Sequence, residues 1–520
     1  MTRKAGQDWD YIIVGGGSGG ATVAARLAED PGRRVLLLEA GGGDSSLDIL
    51  VPGRVEQVIT SARLNWQYVG EPDPSLGGRR LTWAAGRVIG GSSSINGMVF
   101  GRGLPADYAG WGPGWSWEDM LPAFKKLEHW TGAPHPARGT DGPVQVRPFE
   151  ETEPACEAMM QAFIDAGLPF LPDYAVGVSE GIGRTQATQK GGWRHSVARA
   201  YLRPARRRPN LRVMTGCFVE RLLVEHGRCI GVQVRRGGAV RMLHAAREVV
   251  VCAGAIGTPK LLLLSGIGAP AALAAHGIAV LHELPGVGRN LNDHVNIKIS
   301  AFVETPTYNT ARRGFGGLRH GVNLLARGRG PASSPANHCQ AFVKTDSALE
   351  SADVQVQLMA FGFGTEEQMR RNGITAVVSP CRPKARGEVG LRSADPAAAP
   401  RVSMAMLGEA EDVEVLLKGC RMTVEMLEVG PGAKFGARVY APAKGEDWLD
   451  FFRETAALNW HPAGTCAMGA VVDAALRVRG LAGLSICDAS VMPTVTSANT
   501  NIPVIAIAER AAGFIAARRK

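Results

Sequence analysis

The sequence has no C-x-x-C pair among its nine cysteines, and the count is odd. That usage fits neither a disulfide framework nor a zinc site, so the cysteines are expected as buried thiols and no metal is expected. Long apolar runs are also missing: stretches such as Leu261 to Leu264 stop far short of the roughly 20 residues that cross a bilayer. No charged leader with an apolar core precedes Asp10, so a cytoplasmic chain is expected. Charge of one sign is nowhere dense enough to mark a nucleic-acid binder. The 58 Lys and Arg exceed the 48 Asp and Glu by +10, yet they are scattered apart from Arg199 to Arg208 and Arg518-Arg519-Lys520, with no interleaved aromatics. Solvated arginines account for the excess.

What is present is a chain of 520 residues with 45% hydrophobic content, enough for more than one core and two or so domains. Its organising stretch is DYIIVGGGSGG, Asp10 to Gly20. The apolar run Tyr11 to Val14 reads as a buried parallel strand that breaks at glycines and is followed at once by a small-residue helix pattern. Gly15, Gly17 and Gly20 keep the G-x-G-x-x-G spacing: the first permits a tight turn, the second lets a diphosphate approach the backbone, and the third lets helix pack on strand. A second apolar strand, Val35 to Leu38, ends in Glu39 about twenty residues past the loop, where an acid hydrogen-bonds a ribose diol. The pattern predicts an adenine dinucleotide; the alternative is a plain glycine-rich turn with a surface Glu39.

Further along, GRVIGGSSSINGMVFGRG, Gly86 to Gly103, suits either a run of backbone donors wrapping a flat polar ring or a mobile loop. An amphipathic helix is expected between Pro148 and Asp165. Short strands at Leu211 to Val213, Phe218 to Leu223 and Gly231 to Val234 precede another at Glu248 to Cys252, and a leucine-rich helix at Pro259 to Leu264 follows. Strands returning to a dinucleotide sheet this late imply a discontinuous domain. From Ile297 to Asp450 alternating strands and one amphipathic helix, Glu411 to Leu427, suggest a second domain resting on the cofactor face. Phe361 and Phe363 sit at a strand end, as pocket wall or as ordinary core.

The last seventy or so residues carry NWHPAGTCAMG and DASVMPTVTSANTNIP. His461, followed by proline and glycine, sits on a fixed turn, which suits either proton transfer or a structural place. Asn499, Thr500 and Asn501 stand just ahead of a helix expected to begin near Pro503, whose N-terminal partial charge would stabilise an electron-rich ring.

Six stretches in this order, the glycine loop with Glu39, GRVIGGSSSINGMVFGRG, CAGAIGTPKLLLLSGIG, PGVGRNLNDH, HPAGT and DASVMPTVTSANTNIP, resemble the signatures of the glucose-methanol-choline family of flavin-dependent oxidoreductases. The resemblance spans nearly the whole chain. It implies an α/β fold: a Rossmann-like FAD-binding domain assembled from residues 1–150, 200–297 and 455–520, with an α+β substrate domain on an antiparallel sheet from 151–199 and 298–454. By motif, Gly15, Gly17, Ser18, Gly20, Glu39 and Ala40 resemble the ADP-half contacts. Arg87, Val88, Gly91 and Ser92, with Asn96, Gly97, Met98 and Val99, resemble the segment that wraps flavin and diphosphate. Val219 is similar to the family's backbone contact to adenine, and Trp66, Ala253, Gly254 and Trp460 join the cofactor site. Asp488 and Ala489 resemble ribityl or diphosphate partners, and Thr500, Asn501 and Pro503 the pyrimidine end of the flavin.

His461 matches the family's catalytic histidine, and Asn499 the position that members fill with His or Asn. Ile95 stands where some members carry the histidine that links FAD, which implies a non-covalent, dissociable FAD. The resemblance is greatest to bacterial hydroxymethylfurfural, pyridoxine and aryl-alcohol oxidases, implying oxidation of a ring-borne primary alcohol to the aldehyde by hydride transfer to flavin N5. A small-molecule alcohol and oxygen or another acceptor are the expected partners. A choline-type dehydrogenase, or a family lyase or decarboxylase on the same FAD fold, are the alternatives.

Overall fold

The apolar run near the N-terminus folds as the strand Trp9–Val14, with Ile12 and Ile13 fully buried. The computed structural model describes residues 9–311, 316–335 and 337–518, so Arg519 and Lys520 of the terminal basic cluster lie outside the described residues. Trp9–Val14 pairs in parallel with Val35–Leu38 on one side and with the end of Ala239–Val251 on the other. Leu211–Met214 extends the sheet past Val35–Leu38, and Leu484–Ile486 pairs in parallel with Val249 to Val251. These strands are covered on both faces, which is why they read as continuous apolar runs. Phe218–Glu225 and Arg228–Arg236 add an antiparallel hairpin to the first half of Ala239–Val251.

Two helices cover this sheet beside the glycine loop, Ser18–Leu27 and Asn501–Ala517. The second is apolar almost all round, as a fully packed helix must be, and is tied to the first by Ser18 Oγ donating to Asn501 Oδ1 at 2.6 Å and by the Arg26–Glu509 ion pair at 2.8 Å. First and last segments of the chain therefore share one unit.

A second sheet runs Arg438–Ala441, Val295–Phe302, Gly373–Pro380, Val354–Met359, Cys339–Val343 and Gly181–Arg184, all antiparallel, and Ala457–Leu458 pairs with the start of Val295–Phe302. Its two faces differ sharply. Ile297, Ile299, Ala301, Ile374, Ala376 and Val378 join the core beneath the helices Pro154–Asp165 and Ala410–Val424. The alternate residues, Asn296, Lys298, Ser300, Thr375, Gln355, Gln357 and Met359, lie on the opposite face, and Met359 there reaches the cavity described below.

The mixed α/β architecture with an antiparallel second sheet is the one expected. Three elements start elsewhere than the sequence suggests. Val144–Pro148 is a strand and the helix begins only at Pro154, which fills its first position. The last helix begins at Asn501; Pro503 is tolerated as its third residue because first-turn amides have no intrahelical acceptor. The leucine-rich helix begins at Gly254, with Pro259 inside it. Proline removes the bond that the Ala255 carbonyl would receive, and Thr465 Oγ1 supplies the replacement at 2.5 Å. All nine cysteines are free and buried, and among the described residues no helix is long and apolar enough to cross a membrane.

Candidate active site

The strand ends and helix starts of the first sheet open onto one cavity of about 1250 Å³, which continues under the polar face of the second sheet. It exceeds the roughly 300–1,000 Å³ of a site for one small molecule, and suits a dinucleotide with a substrate beside it.

At one end lies the glycine loop. Gly15 has φ +103°, and a Cβ there would stand 2.3 Å from the Cys252 carbonyl oxygen. Gly91 has φ +54°, and its Cβ would stand 2.6 Å from Gly17 Cα, so two glycine turns lie back to back with no side chain between them. No side chain caps the first amides of Ser18–Leu27, and Gly17 and Ser18 line the cavity, leaving N–H groups for an anion. Glu39 accepts from the amides of Gly16 at 2.8 Å and Gly41 at 2.7 Å; each oxygen keeps a lone pair for a hydroxyl, while burial pushes the carboxyl pKa up to about 7. Val219 lines the same end, with Arg87 4.8 Å over the Trp66 ring and Trp66 stacked on Tyr68 at 6.0 Å.

The Gly86 to Gly103 stretch is not a loose loop. Ser93 Oγ and Ser94 Oγ donate to the Gly90 and Ile89 carbonyls at 2.6 and 2.8 Å, and the guanidinium of Arg194 holds the Ser93 carbonyl at 3.3 Å and the Asn96 carbonyl at 2.6 Å. Arg194 is 1% exposed, and burial lowers its pKa to about 9. Sequence reasoning missed it, because its targets lie about a hundred residues earlier.

Asp488 is held rigid. It accepts from Gly254 N at 2.9 Å, Thr258 Oγ1 at 2.6 Å and Ser490 N at 2.9 Å, while burial raises its pKa. Facing it, Asn499, Thr500 and Asn501 line the cavity where the last helix begins, and no side chain caps that helix start.

His461 follows Trp460, whose φ of +58° is uncommon for a bulky residue and turns the chain so that the imidazole points inward. His461 Nε2 lies 2.9 Å from Asn499 Nδ2. Behind it, Asp293 accepts the amides of His294 at 2.7 Å and His461 at 2.8 Å, and the indole N–H of Trp83 at 2.9 Å. Burial pushes the His461 pKa well below its ordinary value, so the imidazole is neutral.

Of the residues singled out from sequence, Gly15, Gly17, Ser18, Glu39, Ala40, Trp66, Arg87, Gly91, Ser92, Asn96 to Val99, Val219, Ala253, Gly254, Trp460, His461, Asp488, Ala489 and Asn499 to Asn501 all line the cavity. Gly20, Val88 and Pro503 stand behind its wall. A Cβ on Gly20 would meet the Gly15 carbonyl at 2.0 Å, so it serves helix packing; Val88 is buried with Ile49, Val58, Leu64 and Ile95; Pro503 lies inside the last helix's first turn. Tyr308, Met359, Phe361 and Phe363 form one wall; the alternation of Phe361 and Phe363 past a strand end was the available signal, which sequence left open between pocket wall and core, and Tyr308 was not singled out.

With this geometry in place, comparison is informative. The N-terminal and C-terminal GMC oxidoreductase family profiles match residues 9–296 and 383–508. The oxygen-dependent choline dehydrogenase of Rhizobium johnstonii is 37% identical over 495 residues, covering 92% of this chain and 90% of the relative, and that of Sinorhizobium medicae is 36% identical over 528 residues, covering 97% and 95%. Among solved structures, pyridoxine 4-oxidase from Mesorbium loti matches with a TM-score of 0.90 at 29% identity, over 99% of this chain and 100% of that one. An FAD-dependent oxidoreductase from Chaetomium thermophilum matches with a TM-score of 0.88 at 27% identity, over 98% and 99%.

Proposed function

The chain belongs to the GMC oxidoreductase family, FAD enzymes acting on CH–OH groups, and from that premise we propose that it oxidises a primary, ring-borne hydroxymethyl group to the aldehyde, with His461 as general base. The observation that carries this reading is the His461–Asn499 pair, an imidazole nitrogen and an amide 2.9 Å apart on the cavity wall. FAD, when bound, supplies the hydride acceptor; Ser18, Glu39, Arg87, Asp488 and the backbone of Asn96 to Val99 are the residues that would hold it, and the paired glycine turns leave the close approach it needs. Ile95 is an aliphatic side chain in an apolar cluster and offers no nucleophile, which supports a non-covalent cofactor.

An alcohol O–H that reaches His461 Nε2 takes the place of the Asn499 amide. The displaced N–H then donates to the alcohol oxygen while Nε2 accepts its proton, so charge developing on oxygen is stabilised as the carbon loses hydride. Burial keeps His461 neutral, the form a base requires. Its low basicity suffices because the hydroxyl becomes far more acidic as the carbon approaches a carbonyl.

The substrate reading rests on charge. The acids among the cavity's described residues are Glu39, Glu56 and Asp488; Glu39 and Asp488 have the cofactor-side contacts given above, and Glu56 is exposed. On the second sheet's polar face, Lys298 places its ammonium 4.4 Å from the Phe363 ring centroid, and none of the ion pairs among the described residues involves it. A quaternary ammonium is held by a carboxylate or an aromatic cage, and a neighbouring lysine opposes it. Tyr308, Met359, Phe361 and Phe363 give the cavity an apolar wall that accepts a flat ring, so the case against choline rests on the charges alone. The second reading, choline oxidation, is favoured by the identity with choline dehydrogenases. An anaerobic flavin-bleaching screen over hydroxymethyl aromatics, pyridoxine, choline and short aliphatic alcohols separates the two, and repeating it in air with peroxide detection identifies the acceptor. The expected result is fastest bleaching by a ring-borne hydroxymethyl group; choline as the fastest substrate would reject the substrate assignment.

A further inference from the structure

His461 has two ring nitrogens, and the one turned away from the cavity is also engaged. Its Nδ1 lies 2.9 Å from Nδ1 of His294, and His294 Nε2 lies 3.1 Å from the backbone carbonyl oxygen of Cys381. A carbonyl oxygen accepts and never donates, so His294 Nε2 carries a proton. Neutral His294 then presents a bare lone pair at Nδ1. Two lone pairs at this separation would repel, so His461 Nδ1 carries the proton and donates it. His461 Nε2 is consequently bare on the side facing the Asn499 amide and the cavity.

The surroundings favour this arrangement of protons. Both rings are buried, 1% exposed for His294 and 7% for His461, and burial lowers the His294 pKa to about 4. The nearest acid, Asp293, spends its oxygens on the two backbone amides and the Trp83 indole rather than on either ring. We propose that His294 is a positioning residue that locks His461 in the Nδ1–H tautomer, so that the basic nitrogen always faces the alcohol. This rests on His461 being the base. Once His461 has taken the alcohol proton, the same Nδ1–H···Nδ1 bond becomes charge-assisted and strengthens, while the Cys381 carbonyl keeps the His294 proton in place.

Two variants and one spectrum test it. His294→Asn keeps an acceptor oxygen near the position of Nδ1; His294→Leu fills the space with no acceptor. Flavin reduction is measured on FAD-loaded protein by anaerobic mixing with whichever of benzyl alcohol, pyridoxine and choline reduces the wild type fastest, and the tautomer is read from the ¹⁵N shifts of the His461 ring. The expected loss in His294→Leu is about ten- to hundred-fold, as for other groups that orient a reacting ligand, with most of it recovered in His294→Asn and His461 held as Nδ1–H only where an acceptor remains. Wild-type reduction in His294→Leu overturns the proposal, as do equal losses in both variants with unchanged His461 shifts. If His294→Leu does not retain FAD, the His294→Asn spectrum decides: Nδ1–H supports the proposal and Nε2–H overturns it. His461→Ala keeps the two readings apart, since undiminished reduction there removes the base assignment itself, whereas its loss beside an unaffected His294→Leu removes only the role of His294.

Discussion

His461 Nε2 and Asn499 Nδ2 lie 2.9 Å apart, and in the proposed reaction the substrate hydroxyl enters between them. Removing the imidazole leaves the amide but no proton acceptor, and His461→Ala should lower turnover by a factor of about a hundred or more with FAD still bound. Stopped-flow reduction checks this; an unchanged rate would end the assignment. The pH dependence follows from burial. Because burial disfavours the imidazolium, the His461 pKa lies well below 6.5, and the neutral base persists as pH falls past that value. With FAD in excess, kcat/KM should stay level from about pH 8 to about pH 6 and decline only below. A limb centred at or above 6.5 that persists in Asp293→Asn, which removes the neighbouring carboxyl that burial raises to about 7, would contradict the buried-base picture. On the proposed substrate reading, Lys298 beside the Phe363 ring sets the charge preference. Lys298→Glu replaces a repelling ammonium with an attracting carboxylate, so kcat/KM for choline should rise about ten-fold or more relative to benzyl alcohol. An unaltered ratio would show that Lys298 does not face the substrate.

At the scale of elements, the helix Gly254–Leu264 begins on the cavity wall, and its course depends on a contact from the far end of the chain. Pro259 leaves the Ala255 carbonyl without its helical donor, and the fully buried Thr465 hydroxyl fills in. Thr465→Val keeps the shape and removes the donor, which should cost about 1–3 kcal/mol in denaturant unfolding, since a buried acceptor is left unpaired. Stability equal to wild type would mean that another donor reaches Ala255. The same threonine belongs to HPAGT, so the motif that carries His461 also secures the helix Gly254–Leu264. The glycine turn of Ser18–Leu27 and the polar stretch before Asn501–Ala517 are likewise helix starts whose uncapped amides face the cavity. Both were readable from sequence, because a strand, a glycine or polar turn and a helix follow each other within a few residues.

For the whole molecule, the chain visits the parallel sheet three times, with Trp9–Val14, with Leu211–Met214 onward, and with Leu484–Ile486. The cavity walls therefore come from segments hundreds of residues apart. Ile95 offers no attachment, so precipitating the holoenzyme with acid should release the yellow chromophore into the supernatant; colour retained in the washed pellet would show a covalent link. The antiparallel second sheet closes the opposite side, and period-two alternation places its apolar residues against helices and its polar ones on the other face, from which Met359 reaches the cavity.

By itself the sequence determined the glycine loop, Glu39, the His461 turn and the presence of a helix just after Asn499, though not its first residue, together with the α/β character of the fold. Each of these is a short-range pattern, in which neighbouring residues set the backbone dihedrals and hence the direction of a few side chains. Only the tertiary structure decided the partner of His461, the role of Arg194 under the Gly86 to Gly103 turn, the rescue of Ala255 by Thr465, and the place of Phe361 and Phe363 on the cavity wall. His294 and His461 are separated by 167 positions, and no local rule reaches across that distance. They meet because Asp293 binds both backbones and because Val295–Phe302 and Ala457–Leu458 pair side by side, which aligns two loops that the sequence presents as unrelated.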